Sequence, residues 1–151
     1  MYAGAEKDES GQLTGWKEVD PKIWLKKSIF SVKQDVKILD KNIVSLGIKY
    51  LVDICKKNSI TETAIDYFLP HLSSMYFKQK VYDELLKQGL EVPYKKWFTN
   101  LGRVGNVGSA SIYIMLEELF HSGKLKKGEK ILILVPESGR FSYGFAYLSV
   151  V

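Results

Sequence analysis

His71 and Asn106 are the side chains of this chain whose type and setting best suit chemistry. His71 stands in "IDYFLPHLSS" (65–74), where an apolar run stops at Pro70 and a Ser-Ser pair can open a helix. Asn106 stands in "LGRVGNVG" (101–108), between Gly105 and Gly108. A third polar loop, Glu137-Ser138-Gly139, follows the apolar run "KILILV". In open α/β sheets, sites lie beyond the carboxyl ends of strands, so three such loops can converge on one pocket. Each residue also has an ordinary use. A histidine after a strand can bond the backbone or begin the next helix. Asn tolerates the left-handed conformation of a turn.

Other chemistries fit less well. Two histidines 50 positions apart and one cysteine make a poor metal set. No Ser is framed as G-x-S-x-G. Gly102, Gly105 and Gly108 give G-x-x-G-x-x-G, which is neither the dinucleotide fingerprint nor a P-loop. Glu117 and Glu118 are adjacent on one helix and do not face each other across a cleft. His121 falls in a last helical turn, where an imidazole is a favourable C-terminal group. Cys55 sits in a helical apolar stripe that lacks the surroundings of an activated thiolate.

The elements that must position these residues alternate. Residues 28–39 show strand-like alternation with a turn near Gln34-Asp35. Asp40 is a plausible cap for a helix over 41–57, with Val44, Ile48, Leu51 and Cys55 at helical spacing. A short strand at 65–69 leads to a helix at 73–88, stopped by Gly89. "YKKWFTN" (94–100) reads as a strand, 109–122 as a helix, 130–135 as a buried strand and 141–150 as a final strand. The order β-α-β-α-β-α-β-β implies an α/β fold with a largely parallel sheet and one antiparallel pair.

Composition bounds the rest. With 46% hydrophobic and 26% charged residues, 151 residues suffice for one domain or a piece of a larger one. Residues 1–27 read as an N-terminal loop or linker remnant, and 28–151 as the folded domain. The net charge is +5; two lysines and five acids give residues 1–21 a charge of −3, so the remainder carries +8. The cations are mostly scattered lysines, unlike the clustered Arg of a nucleic-acid reader; such a pattern is usually a solvated face, with an acidic protein partner as the functional alternative. A single cysteine points to a reducing, cytoplasmic compartment. No apolar run is long enough to span a bilayer, and the acidic, Gly-containing start is unlike a signal peptide.

Four stretches taken together resemble a known family. "DYFLPH" before a helix, "GNVGSAS" entering a helix, "GKLKKGEKILILV" and "SGRFSYGFAYL" are similar to the C-terminal half of 3-oxoacyl-acyl carrier protein synthase III. The resemblance is clearest over 62–151 and extends back to about residue 28. It implies one half of a thiolase-like αβαβα sandwich with a mixed five-stranded sheet. It also implies decarboxylative Claisen condensation of an acyl thioester with malonyl-carrier protein, in fatty acid or related lipid and polyketide synthesis.

By the same resemblance, His71 and Asn106 are the catalytic pair, and Gly105, Gly108 and Gly139 lie against substrate. Imidazole and carboxamide N–H groups would stabilise charge developing on the malonyl thioester oxygen. Substrates are CoA or acyl carrier protein thioesters, with no metal or other cofactor. The family's nucleophilic cysteine has no counterpart here, so the implied partners are an N-terminal half that carries it, an acyl carrier protein, and a second copy in a homodimer. The abrupt start "YAGAEKD" suggests a fragment, expected to be inactive alone and to expose an apolar face. The sequence departs from the family at Leu72, Ser73 and Ser74, where Gln-Ala-Asn is usual, at Val107, at "PESGR", and at Tyr76, where the family carries an Arg for the carrier protein. These changes put the usual short primer and carrier contact in question. A non-decarboxylating acyltransferase of the same superfamily and a non-catalytic half-domain are the alternatives.

Overall fold

The computed structural model describes residues 1–151. In chain order it holds β1 (Ala5–Lys7), β2 (Leu13–Gly15), α1 (Val36–Lys57), β3 (Tyr67–Pro70), α2 (Tyr76–Lys87), α3 (Leu101–Val104), α4 (Ser111–His121), β4 (Lys130–Glu137) and β5 (Ser142–Ser149). The sheet has three strands in the order β3-β4-β5, with β3 parallel and β5 antiparallel to β4. The mixed α/β character is the expected one. The sheet is narrower than the five strands the resemblance implies.

Two segments expected as strands account for the difference. Residues 28–31 form a turn and the chain runs irregularly on to Asp35: Ser28 has a φ of 48°, and Phe30 and Val32 face solvent. Only Lys33 pairs in sheet fashion, with Tyr2. Their apolar side chains serve other ends: Phe30 packs edge-on against Trp24, while Ile29 is fully buried. Residues 94–100 begin with a 3-10 turn at Tyr94–Lys96, and only Trp97 bridges Phe68. The Phe98 N–H donates to the Phe68 carbonyl at 2.9 Å, so this segment lies along the free edge of β3 as a single rung.

Helix α1 starts five residues earlier than the sequence suggests. The Asp35 carboxylate accepts the Ile38 N–H at 2.9 Å and caps the helix, and Lys7 pairs with the same carboxylate. Asp40 lies inside the helix and binds Lys80 instead. Residues 1–21 are more ordered than their composition suggests, since β1 and β2 form a small hairpin.

Side-chain alternation along β4 builds two apolar layers. Leu132 and Leu134 face α1 and α2, together with Phe68, Leu51, Cys55 and Leu85. Ile131 and Ile133 face α4, with Leu69, Met115 and Leu119. The outer side of α4 has no cover: Tyr113 is 73% and Phe120 68% exposed. No helix is long and apolar enough to cross a membrane.

Candidate functional site

β3 ends at Pro70, paired with Leu134 of β4. The next residue, His71, donates its backbone N–H to the Leu134 carbonyl at 2.8 Å, so the strand ladder fixes its position. Its imidazole is half-buried, and burial pushes its pKa below the ordinary histidine value. Burial thus favours the neutral form of the ring.

Asn106 is carried by the loop between α3 and α4. Gly105 and Gly108 take φ values of 78° and 63°, which only glycine adopts without strain. The Asn106 side-chain oxygen accepts the Gly108 N–H at 3.1 Å. The Val107 N–H donates to the Ser111 hydroxyl at 3.1 Å, tying the loop to the start of α4. The loop's other end is clamped by Glu118 of α4, which accepts from buried Asn100 at 2.8 Å and pairs with Arg103. Glu118, unremarkable as an acid in the sequence, thus holds the base of the Asn106 loop.

His71 and Asn106 line one cavity of about 420 Å³, along with Gly108, Ser73, Glu137 and Ser138. The loop after β3, the loop between α3 and α4 and the β4–β5 turn therefore meet at one cavity, although the segment before the Asn106 loop is not the strand expected from the sequence. Gly105 and Gly139 are not part of the lining. Gly105 acts one step back, by letting the loop turn. Gly139 closes the β4–β5 turn: Glu137 accepts its N–H, and also the Arg140 N–H at 2.9 Å. These two amides hold the Glu137 carboxyl below its usual pKa range. A Cβ on Gly139 would lie 2.6 Å from Glu137 Oε1, so a side chain there would require the carboxylate to move.

The cavity includes residues that sequence reasoning did not single out. Gln34 lines it and donates to the Ser138 carbonyl at 3.3 Å. The ring of Tyr143 on β5 sits against Gly47 of α1, where a Cβ would come within 2.5 Å of it. The Tyr143 hydroxyl donates to the Ile43 carbonyl at 2.9 Å, and burial pushes its pKa up to about 12. A lone glycine inside the apolar stripe of a long helix was the available signal.

The remaining chemical candidates lie elsewhere. Cys55 is buried in the layer under α1, and burial raises its thiol pKa. His121 is exposed, 3.7 Å from Glu117 on the same helix. No group of three His, Cys, Asp or Glu side chains is placed to hold a metal ion.

A family model described as 3-oxoacyl-(acyl-carrier-protein) synthase III C terminal matches residues 55–151. A beta-ketoacyl-(acyl-carrier-protein) synthase III of Clostridium perfringens is 35% identical over 100 residues, which are 66% of this chain and 29% of that protein. One from Clostridium kluyveri is 28% identical over 120 residues, 80% of this chain and 35% of that protein. The matched part is thus about a third of these curated relatives' length. Among solved structures, the 3-oxoacyl-(acyl carrier protein) synthase III of Pseudomonas aeruginosa superposes with a TM-score of 0.66 at 16% identity, covering 97% of this chain and 39% of that one. OleA of Xanthomonas campestris, as its E117Q variant, superposes with a TM-score of 0.63 at 28% identity, covering 76% and 32%. With the strand-end site and the two-layered α/β half in place, the matched model assigns the chain: it belongs to the 3-oxoacyl-acyl-carrier-protein synthase III family, as a C-terminal half of that fold.

Proposed function

We propose that this chain supplies the donor half of a decarboxylating condensing enzyme. The observation that carries the reading is the single cavity shared by neutral His71 and Asn106. In the proposed reaction an acyl group waits on a cysteine of an N-terminal half. A malonyl thioester binds with its carbonyl oxygen toward His71 and Asn106. The bond to the malonyl carboxylate breaks and releases carbon dioxide, and its electron pair moves to the α-carbon. The resulting enolate carries its charge on the thioester oxygen, where the two N–H donors stabilise it. The α-carbon then attacks the acyl thioester, a carbon–carbon bond forms, and the cysteine thiolate leaves.

The N-terminal half is the proposed cover for the outer side of α4, with its exposed Tyr113 and Phe120. An acyl carrier protein is the proposed thioester donor, drawn by the +8 charge of residues 22–151. A homodimer is the proposed state of the whole protein. The chemistry asks for no metal and no organic cofactor beyond the thioester carriers.

The test uses the full-length protein that contains this chain, given malonyl-carrier protein and an acyl-CoA. Carbon dioxide release and a 3-oxoacyl product are expected, each falling about 10²–10³-fold on His71→Ala or Asn106→Ala. Acyl transfer to an alcohol or amine without carbon dioxide would replace this reading by the non-decarboxylating one. Absence of any thioester turnover would leave the half-domain as a binding partner.

A further inference from the structure

The loop that carries Asn106 is fastened at both ends to α4. At its far end the Val107 N–H donates to the hydroxyl of buried Ser111 at 3.1 Å. At its near end the Asn100 carboxamide donates to Glu118 Oε2 at 2.8 Å. Ser111 and Glu118 stand about two turns apart on α4, so they share one face of the helix. Asn100 also begins α3. Its carbonyl accepts the Arg103 N–H at 2.9 Å and the Val104 N–H at 3.0 Å. The Gly105 N–H closes on the Leu101 carbonyl at 2.9 Å. From Asn100 to Gly105 the backbone is thus one hydrogen-bonded turn, and Asn106 is the next residue.

Glu118 has two partners, and they are unequal. The Arg103 side chain is 69% exposed, where water screens an ion pair and leaves it little effect. Asn100 is only 7% exposed. A buried amide left without its acceptor costs far more than an exposed ion pair returns. Without Glu118 the start of α3 has to shift toward water, and the turn that leads to Asn106 shifts with it.

We propose that Glu118 is a positioning residue for the Asn106 donor, that it acts through the Asn100 carboxamide and the α3 turn, and that its ion pair with Arg103 is dispensable. Glu118 does not line the cavity, so its effect on the chemistry passes through the loop. This inference rests on the proposed function for the role of Asn106. The fastening of the loop itself is read without turnover.

The experiment uses the full-length protein that contains this chain. It reads carbon dioxide release from malonyl-carrier protein and amide hydrogen exchange over residues 101–108. Glu118→Ala is expected to lower kcat about 10- to 100-fold, as a displaced donor does, with KM held within about threefold. Exchange over 101–108 is expected to quicken about tenfold or more, with β3 and β4 unchanged. Glu118→Gln, whose carbonyl can still accept from Asn100, is expected to stay within about threefold of the wild type in both readouts, as is Arg103→Ala. In an Asn106→Ala background, Glu118→Ala is expected to cost no further activity, because its only route is already gone. A Glu118→Ala protein that keeps either the wild-type kcat or the wild-type exchange would overturn the proposal. So would a full further loss in the Asn106→Ala background, or a loss in Arg103→Ala as large as that in Glu118→Ala. If Glu118→Ala does not fold, Asn100→Ser, which opens the same bond from the other side, is read in its place. If the wild type releases no carbon dioxide, the proposed reaction fails and exchange alone decides the positioning: quickening confined to 101–108 upholds it, and unchanged exchange overturns it.

Discussion

The Asn106 side-chain oxygen is bound to the Gly108 N–H at 3.1 Å, which leaves the NH2 group as the free end of the carboxamide. The loop thereby orients its own donor. Asn106→Asp keeps an oxygen for Gly108 but replaces the donor with a negative charge. In the full-length protein, condensation should fall at least about 10²-fold. Unfolding free energy should change by less than about 0.5 kcal/mol, as is usual for an exposed position. Initial rates and denaturant titration on the same preparations check both.

His71 makes stability depend on pH with a definite sign. Its folded pKa lies below the ordinary histidine value of 6.5, so around that pH the unfolded chain binds the proton more readily. The neutral ring's contribution is present above pH 6.5 and is lost as the pH falls toward the folded pKa. Relative to His71→Gln, the wild type should lose melting temperature between about pH 7 and about pH 5. Parallel melts of the two proteins test this, and a constant difference across that interval would contradict it.

Gly47→Ala should destabilise the chain although alanine is the better helix former by about 1 kcal/mol. The new methyl would sit 2.5 Å from the Tyr143 ring. Overpacking of this kind costs about 1–3 kcal/mol. Adding Tyr143→Ala removes the clash, so the double variant should be more stable than the sum of the single losses predicts. Urea midpoints of the four proteins measure that coupling.

Cys55 should resist alkylation in the native protein. It is 2% exposed, and burial raises its pKa. Iodoacetamide should label it only on unfolding, as mass spectrometry across a urea series would register. Fast labelling of the folded chain would reopen it as a reactive thiol.

The sequence was most legible where one periodicity held over a whole element. "KILILV" reads as a buried strand, and the stripes of α1, α2 and α4 matched their helices to within three residues at every end but the start of α1, which lies five residues earlier. The histidine was visible because it stands at the end of an apolar run, and the asparagine because it sits in a glycine-rich loop. Legibility failed where apolar side chains served local clusters. Phe30 and Val32 alternate like a strand, yet Phe30 packs on Trp24 and Val32 is 73% exposed. "YKKWFTN" has strand-like residues, but its first three form a 3-10 turn. Asp35 and Asp40 both suit a helix cap, and the choice between them depends on Lys7 and Lys80, which are remote in sequence. Tyr143 over Gly47 joins positions 96 residues apart, a contact no local pattern encodes.

The His71 N–H occupies the next rung of the β3–β4 ladder after Pro70, on the Leu134 carbonyl. The imidazole is therefore indexed to the sheet as a mark is to a ruler. A slip of one residue between β3 and β4 would not blur its position; it would send the ring to the opposite face. The same slip would exchange Leu69 for Phe68 between the two apolar layers, which their packing forbids. The core thus proofreads the placement of His71, whose setting reports how faithfully the two strands are aligned.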